Sequence, residues 1–147
     1  MVDIRSFLPL VSREHPSQLV VAVAQVGNQL YLGWNSFRHG SKKARTILPD
    51  GTVFDSRHAE DHVLSRIPRT TNPKRVTVWV ARFLKSGGLG MARPCLRCQM
   101  RLAIRGVSPK RVYYTDDNGG WKRLGAWDMD PVKRRGVICR PKSAQPK

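Results

Sequence analysis

Apolar positions in this chain gather into short runs whose period changes along the sequence. "QLVVAVAQV" (residues 18–26) and "QLYLGWNSF" (29–37) are rich in β-branched, leucine and aromatic residues, and only Gly27-Asn28 separates them. A two-residue link of this kind closes a hairpin, which predicts two adjacent antiparallel strands. The following "FRHGSKKARTILPDGTVFDS" (37–56) is polar, basic and broken by Gly and Pro, and reads as a long loop. Helical spacing begins near "RHAEDHVLSRI", where Asp55 or Ser56 is placed to cap the helix and Pro68 to stop it. "RVTVWVARFL" (75–84) predicts a third strand. After the glycines of "SGGLG" comes "RPCLRCQMRLAIRG" (93–106), a helix with Pro94 at its start and Gly106 at its end. "KRVYYTDDNGGWKRL" (110–124) then predicts a fourth strand, a turn at Asn118-Gly119 and a short fifth strand.

The order β-β-α-β-α-β-β predicts an α/β domain, a mixed five-stranded sheet with helices packed on it in three layers. A parallel neighbour needs a helical crossover, which a short Asn-Gly link cannot supply, so the fifth strand is expected to be antiparallel. No internal repeat, long low-complexity tract, dividing linker or nucleotide-cofactor motif is visible.

Composition sharpens this picture. A chain of 147 residues with 40% hydrophobic content suits one domain with its own core, expected over residues 1–130. The remaining "PVKRRGVICRPKSAQPK" (131–147) has six basic residues and no acidic one, and reads as a flexible basic tail in which Cys139 is a bystander. No stretch approaches the roughly 18 apolar residues of a membrane span, and the first residues lack the plan of a signal peptide. A cytoplasmic protein is expected, in a host cytoplasm if the chain is viral. Twenty-seven Lys and Arg against ten Asp and Glu give a net charge of +17, which suits a polyanionic partner.

Three cysteines in a reducing compartment favour metal or redox use over a disulfide framework. Cys95 and Cys98 form a Cys-x-x-Cys pair open to three readings: a redox dithiol, half of a structural zinc knot, or two ligands of a catalytic metal. On the first turn of a helix the two sulfurs are neighbours, and the positive end of the helix dipole favours thiolates there. A catalytic zinc takes three protein ligands and keeps one position open, so a histidine is sought. His58 stands out, two residues before Glu60 at a helix head. His62 lies at i+4 from it and suits an ordinary structural role.

His58-Ala59-Glu60 followed by Pro94-Cys95-x-x-Cys98 is the pattern of zinc deaminases. Over roughly residues 18–125 the chain resembles the cytidine and deoxycytidylate deaminase superfamily, most of all the small deaminase-like proteins of phages and large DNA viruses. That resemblance implies Zn2+ held by His58, Cys95 and Cys98, with Glu60 as the proton-transfer residue in converting cytosine to uracil. "GWNS" (33–36) looks like the family's Gly-x-Asn segment, which implies that Asn35 contacts the nucleoside, with Ala59 and Pro94 lining the same pocket. Trp121, beside the Asn118-Gly119 turn, is a further candidate for the pocket border.

The substrate stays open at this stage. A histidine in the first ligand position points to the nucleotide, tRNA and polynucleotide branches, whereas an antiparallel fifth strand points away from them. Charge decides for cytosine in single-stranded nucleic acid, DNA ahead of RNA, with Arg38, His39, Lys42, Lys43 and Arg45 as candidate contacts. The alternatives are a deaminase of free cytidine or deoxycytidylate, a non-catalytic zinc-containing nucleic-acid-binding or virion protein, and, least favoured, a deaminase of adenosine in tRNA.

Overall fold

A computed structural model describes residues 2–10, 19–36, 46–47, 53–54 and 57–128. Within them the chain forms β1 (Leu19–Val26), β2 (Gln29–Trp34), β3 (Thr46–Ile47), β4 (Val53–Phe54) and α1 (Ala59–Arg66). These are followed by β5 (Val76–Phe83), β6 (Leu89–Gly90), α2 (Leu96–Arg105), β7 (Val112–Thr115) and β8 (Trp121–Arg123). The main sheet runs β2-β1-β5-β7-β8, with β6 on β5. The β5–β7 pair is parallel, joined through α2; the other pairs are antiparallel, β8 included, as the short Asn118-Gly119 link requires.

Alternation along the central strands builds both cores. Ala22 and Ala24 of β1 and Val76, Val78 and Val80 of β5 turn toward the helices, where they meet Val63, Leu64 and Leu102. Leu19, Val21 and Val23, with Ala81 and Phe83, turn the other way. A strand covered on both faces must be apolar at successive positions, which is why "LVVAVA" shows no clean period of two.

The three-layer α/β plan is as expected, and two details need correction. The sheet has six strands, because the short β6 follows the glycines of the β5 hairpin. The stretch read wholly as loop contains the β3–β4 ribbon. The third layer is an N-terminal 3-10 helix, Ile4–Leu10, which puts Ile4, Phe7 and Leu8 on the sheet face away from α1 and α2. Trp121 packs into that same cluster. Residues 37–45, with Arg38, His39, Lys42, Lys43 and Arg45, lie outside the described residues, as do the basic tail and Cys139. No helix among the described residues is long and apolar enough to cross a membrane.

Gly33 sets how close α1 comes to the sheet. A Cβ there would stand 2.4 Å from the Val63 backbone nitrogen and 2.7 Å from the Ala59 carbonyl oxygen. Only a residue without a side chain lets the first turns of α1 lie directly on β2. Gly33→Ala is therefore expected to lift the helix and cost about 1–3 kcal/mol. Chemical denaturation checks this; an unchanged midpoint would show that β2 and α1 do not pack so closely.

Candidate metal centre

Two helix N-termini face each other. His58 is the N-cap of α1 and Cys95 the N-cap of α2, both with extended backbone, and neither side chain caps its own helix. Helix α1 thus begins one residue past His58, with Asp55 and Ser56 outside the described residues, and Pro94 precedes the cap of α2 instead of starting the helix. Their side chains are left to turn toward each other. The Nδ1 atom of His58 lies 3.2 Å from Cys98 Sγ and 3.6 Å from Cys95 Sγ. All three donor atoms fall within 4.8 Å of one another.

These separations can be tested against a metal. Tetrahedral zinc with sulfur at about 2.3 Å and nitrogen at about 2.0–2.1 Å sets the N···S distance near 3.6 Å, about what the chain presents. One imidazole nitrogen and two sulfurs also fit the preference of zinc for mixed N and S donors. The residues present therefore fit a zinc ion, which His58, Cys95 and Cys98 would hold on three corners.

Charge around the donors is arranged by burial. Burial, with the Arg97 guanidinium beside it, lowers the His58 imidazole to about 4, so the ring is neutral and offers a lone pair at pH 7. A hydrogen bond with Cys95 draws the Cys98 thiol down, yet burial and the Glu60 and Asp61 carboxylates push it up to about 12. A divalent cation at the donors acts strongly in the opposite direction.

Glu60 is 5% exposed on the first turn of α1 and shares a hydrogen bond with Cys98. Burial raises its carboxyl to about 7, with Asp61 adding to the rise and the hydrogen bonds holding it back. A carboxyl poised near neutrality takes and gives a proton with comparable ease.

Two polar networks brace the site, and the sequence reading missed both. Asp61, three residues after His58, forms a buried ion pair with Arg97, which lies between the two cysteines, and Arg101 Nε approaches it to 3.6 Å. This pair joins the two ligand-bearing turns directly. On the other flank, Gln99 Nε2 donates to the Pro94 carbonyl and to Asp128, while Asp128 also pairs with Arg93. A charged residue at i+3 from His58 and another inside Cys-x-x-Cys were the available signals. Nothing in either segment says that the two helices meet there.

The other candidate residues have definite places. Asn35 follows the end of β2, and its Oδ1 accepts from the Val20 backbone N–H at 2.9 Å. Ala59 is buried, with its carbonyl against Gly33, and Pro94 is buried behind Cys95. His62 is a structural residue, since its Nδ1 accepts from the Trp34 backbone N–H at 3.1 Å and its ring meets the indole edge-on.

No protein-family model and no curated protein matches this chain. Among solved structures it is similar to that of a dCMP deaminase from the cyanophage S-TIM5 in complex with dCMP and dUMP, with 20% sequence identity and a TM-score of 0.42. The similarity covers 80% of this chain and 76% of that one.

His62 supplies a pH test. Burial, with Arg57 and Arg66 nearby, lowers its pKa from 6.5 to about 4, and the Trp34 N–H needs an unprotonated nitrogen. A depressed histidine contributes stability that is present above 6.5 and lost as pH falls toward 4. His62→Gln keeps an acceptor and removes the titration, so melting curves should fall less steeply between pH 6.5 and 4 than those of the parent. Parallel pH profiles would refute this role.

Proposed function

We propose that this protein is a zinc-dependent deaminase converting cytosine to uracil by hydrolysis, acting on cytosine in single-stranded nucleic acid, DNA ahead of RNA. The observation that carries the reading is Glu60: a buried carboxyl within hydrogen-bonding reach of one of three converging metal donors. A purely structural metal knot has no use for such a group.

When bound, zinc lowers the pKa of a water from 15.7 toward about 7 and so supplies a nucleophile at neutral pH. Glu60 takes a proton from the attacking water and delivers it to ring nitrogen N3 as C4 gains its oxygen. It then takes the proton of the new C4 hydroxyl and passes it to the exocyclic nitrogen, which leaves as ammonia while the C4 carbonyl forms. The neutral His58 and the two sulfurs hold position, and the Asp61–Arg97 pair keeps their two turns in register. Asn35 and the buried Ala59 and Pro94 are the proposed walls for the nucleoside.

The net charge of +17 supports a polymer, because a mononucleotide needs only one or two cations. The antiparallel β8 points away from the polynucleotide branch, which favours a second reading, a small substrate: free cytidine, with deoxycytidylate as its nucleotide form. One assay separates them. The purified protein is incubated with single-stranded oligonucleotides, duplex, tRNA and mononucleotides, and uracil and inosine are measured. Uracil from the oligonucleotides supports the first reading, uracil from deoxycytidylate alone the second, and inosine would move the chemistry to adenine. Glu60→Gln should keep its zinc and lose about 10²–10⁴-fold in turnover; undiminished turnover would remove Glu60 from the mechanism.

A further inference from the structure

The chain from residue 62 to residue 115 holds twelve Lys and Arg and no Asp or Glu. Within it the four residues "PKRV" occur twice, at 73–76 and 109–112. Both copies fold alike. Each Pro-Lys-Arg is a 3-10 turn, capped by the side chain of the preceding residue: Asn72 accepts from the Lys74 N–H, and Ser108 from the Lys110 N–H. Each turn feeds one of the two parallel strands, β5 and β7, and the register that pairs Val78 with Val112 makes the turns neighbours staggered by two residues. Arg111 binds Thr77 Oγ1 and the Arg75 carbonyl across the gap.

This end of the sheet is opposite the metal centre. Both helices start at the metal donors and finish here, where Arg105 of α2 donates to the carbonyls of Leu64 and Ile67 at the end of α1. The ten residues of α2 put the two ends about 15 Å apart. Lys74, Arg75, Lys110 and Arg111 are exposed, as are Arg66, the last residue of α1, and Arg69 just past it. Among the described residues no carboxylate pairs with these six; the acids that pair, Asp61 and Asp128, serve Arg93, Arg97 and Arg101. Six like charges brought together repel, a cost that a bound polyanion relieves. Capped turns opened by proline hold the cations in place beforehand, which lowers the ordering cost of binding.

We propose that the twin Pro-Lys-Arg turns form a docking surface for the phosphodiester backbone of a nucleic-acid strand, separate from the metal centre. The contacts are to phosphate, so the surface binds without regard to base. It stands whether or not the metal centre deaminates cytosine.

The test uses a labelled single-stranded 30-mer of thymidine, which offers no cytosine to the metal centre. Binding is titrated from 50 to 200 mM salt for the parent and for Lys74→Gln/Arg75→Gln/Lys110→Gln, which spares the Arg111 bridge. Removing three phosphate contacts should reduce the slope of log K against log salt by about 2, so the parent's advantage shrinks roughly 20-fold across that range. Lys74→Gln/Lys110→Gln, which leaves every arginine in place, should reduce the slope by about 1.4. The charge-matched control Arg5→Gln/Lys85→Gln/Lys122→Gln should keep most of the parent slope. An unchanged slope in both turn variants, or an equal fall in the control, would overturn the proposal. So would phosphatidylserine vesicles captured through these turns by a parent that leaves the oligonucleotide free.

Discussion

The convergence of two helix N-termini on one small volume is the constraint from which the rest of this structure follows. His58 and Cys95 are cap residues whose side chains do not cap, so three donors of different chemistry collect where two chain segments meet. Keeping them there requires α1 and α2 to be fixed against the sheet and against each other. Gly33 serves the first need by letting the α1 backbone lie on β2, and the buried Asp61–Arg97 pair serves the second. A buried ion pair adds little net stability, but it penalises any packing that separates its partners. Here such a packing would also pull the histidine from the sulfurs.

The same burial tunes the site. It keeps His58 neutral, holds Glu60 near neutrality and works against ionisation of Cys98. These effects share one cause, removal from water, and a cation among the donors would oppose it, drawing the thiol toward the thiolate. In the proposed mechanism, the separation of roles between ligands and proton carrier thus arises from position.

Local patterns were legible in the sequence. Strands β1, β2, β5 and β7 and both helices follow from runs of apolar residues and from Pro68 and Gly106, and the two motif halves identify the donor types. What joins distant segments was not legible. The 36 residues between His58 and Cys95 carry no sign that Asp61 will meet Arg97, nor did Asn35 announce that its side chain would tie β2 to the Val20 amide. Strand β6 is two residues long and was hidden by its glycines, while the Ile4–Leu10 layer has no helical period to detect. The paired "PKRV" turns needed the parallel β5–β7 register before their placement as neighbours meant anything.

Charge in this protein is therefore divided by depth. Among the described residues, Glu60 and Asp61 are withdrawn from water at the candidate metal centre, and Lys74, Arg75, Lys110 and Arg111 are exposed at the far edge. The central claim is the mixed donor set, and X-ray absorption at the zinc edge of the purified protein tests it most directly. The account predicts two sulfurs at about 2.3 Å and one nitrogen at about 2.0–2.1 Å, with a light-atom ligand in the fourth position. A shell of four sulfurs, or one with no sulfur, would contradict it.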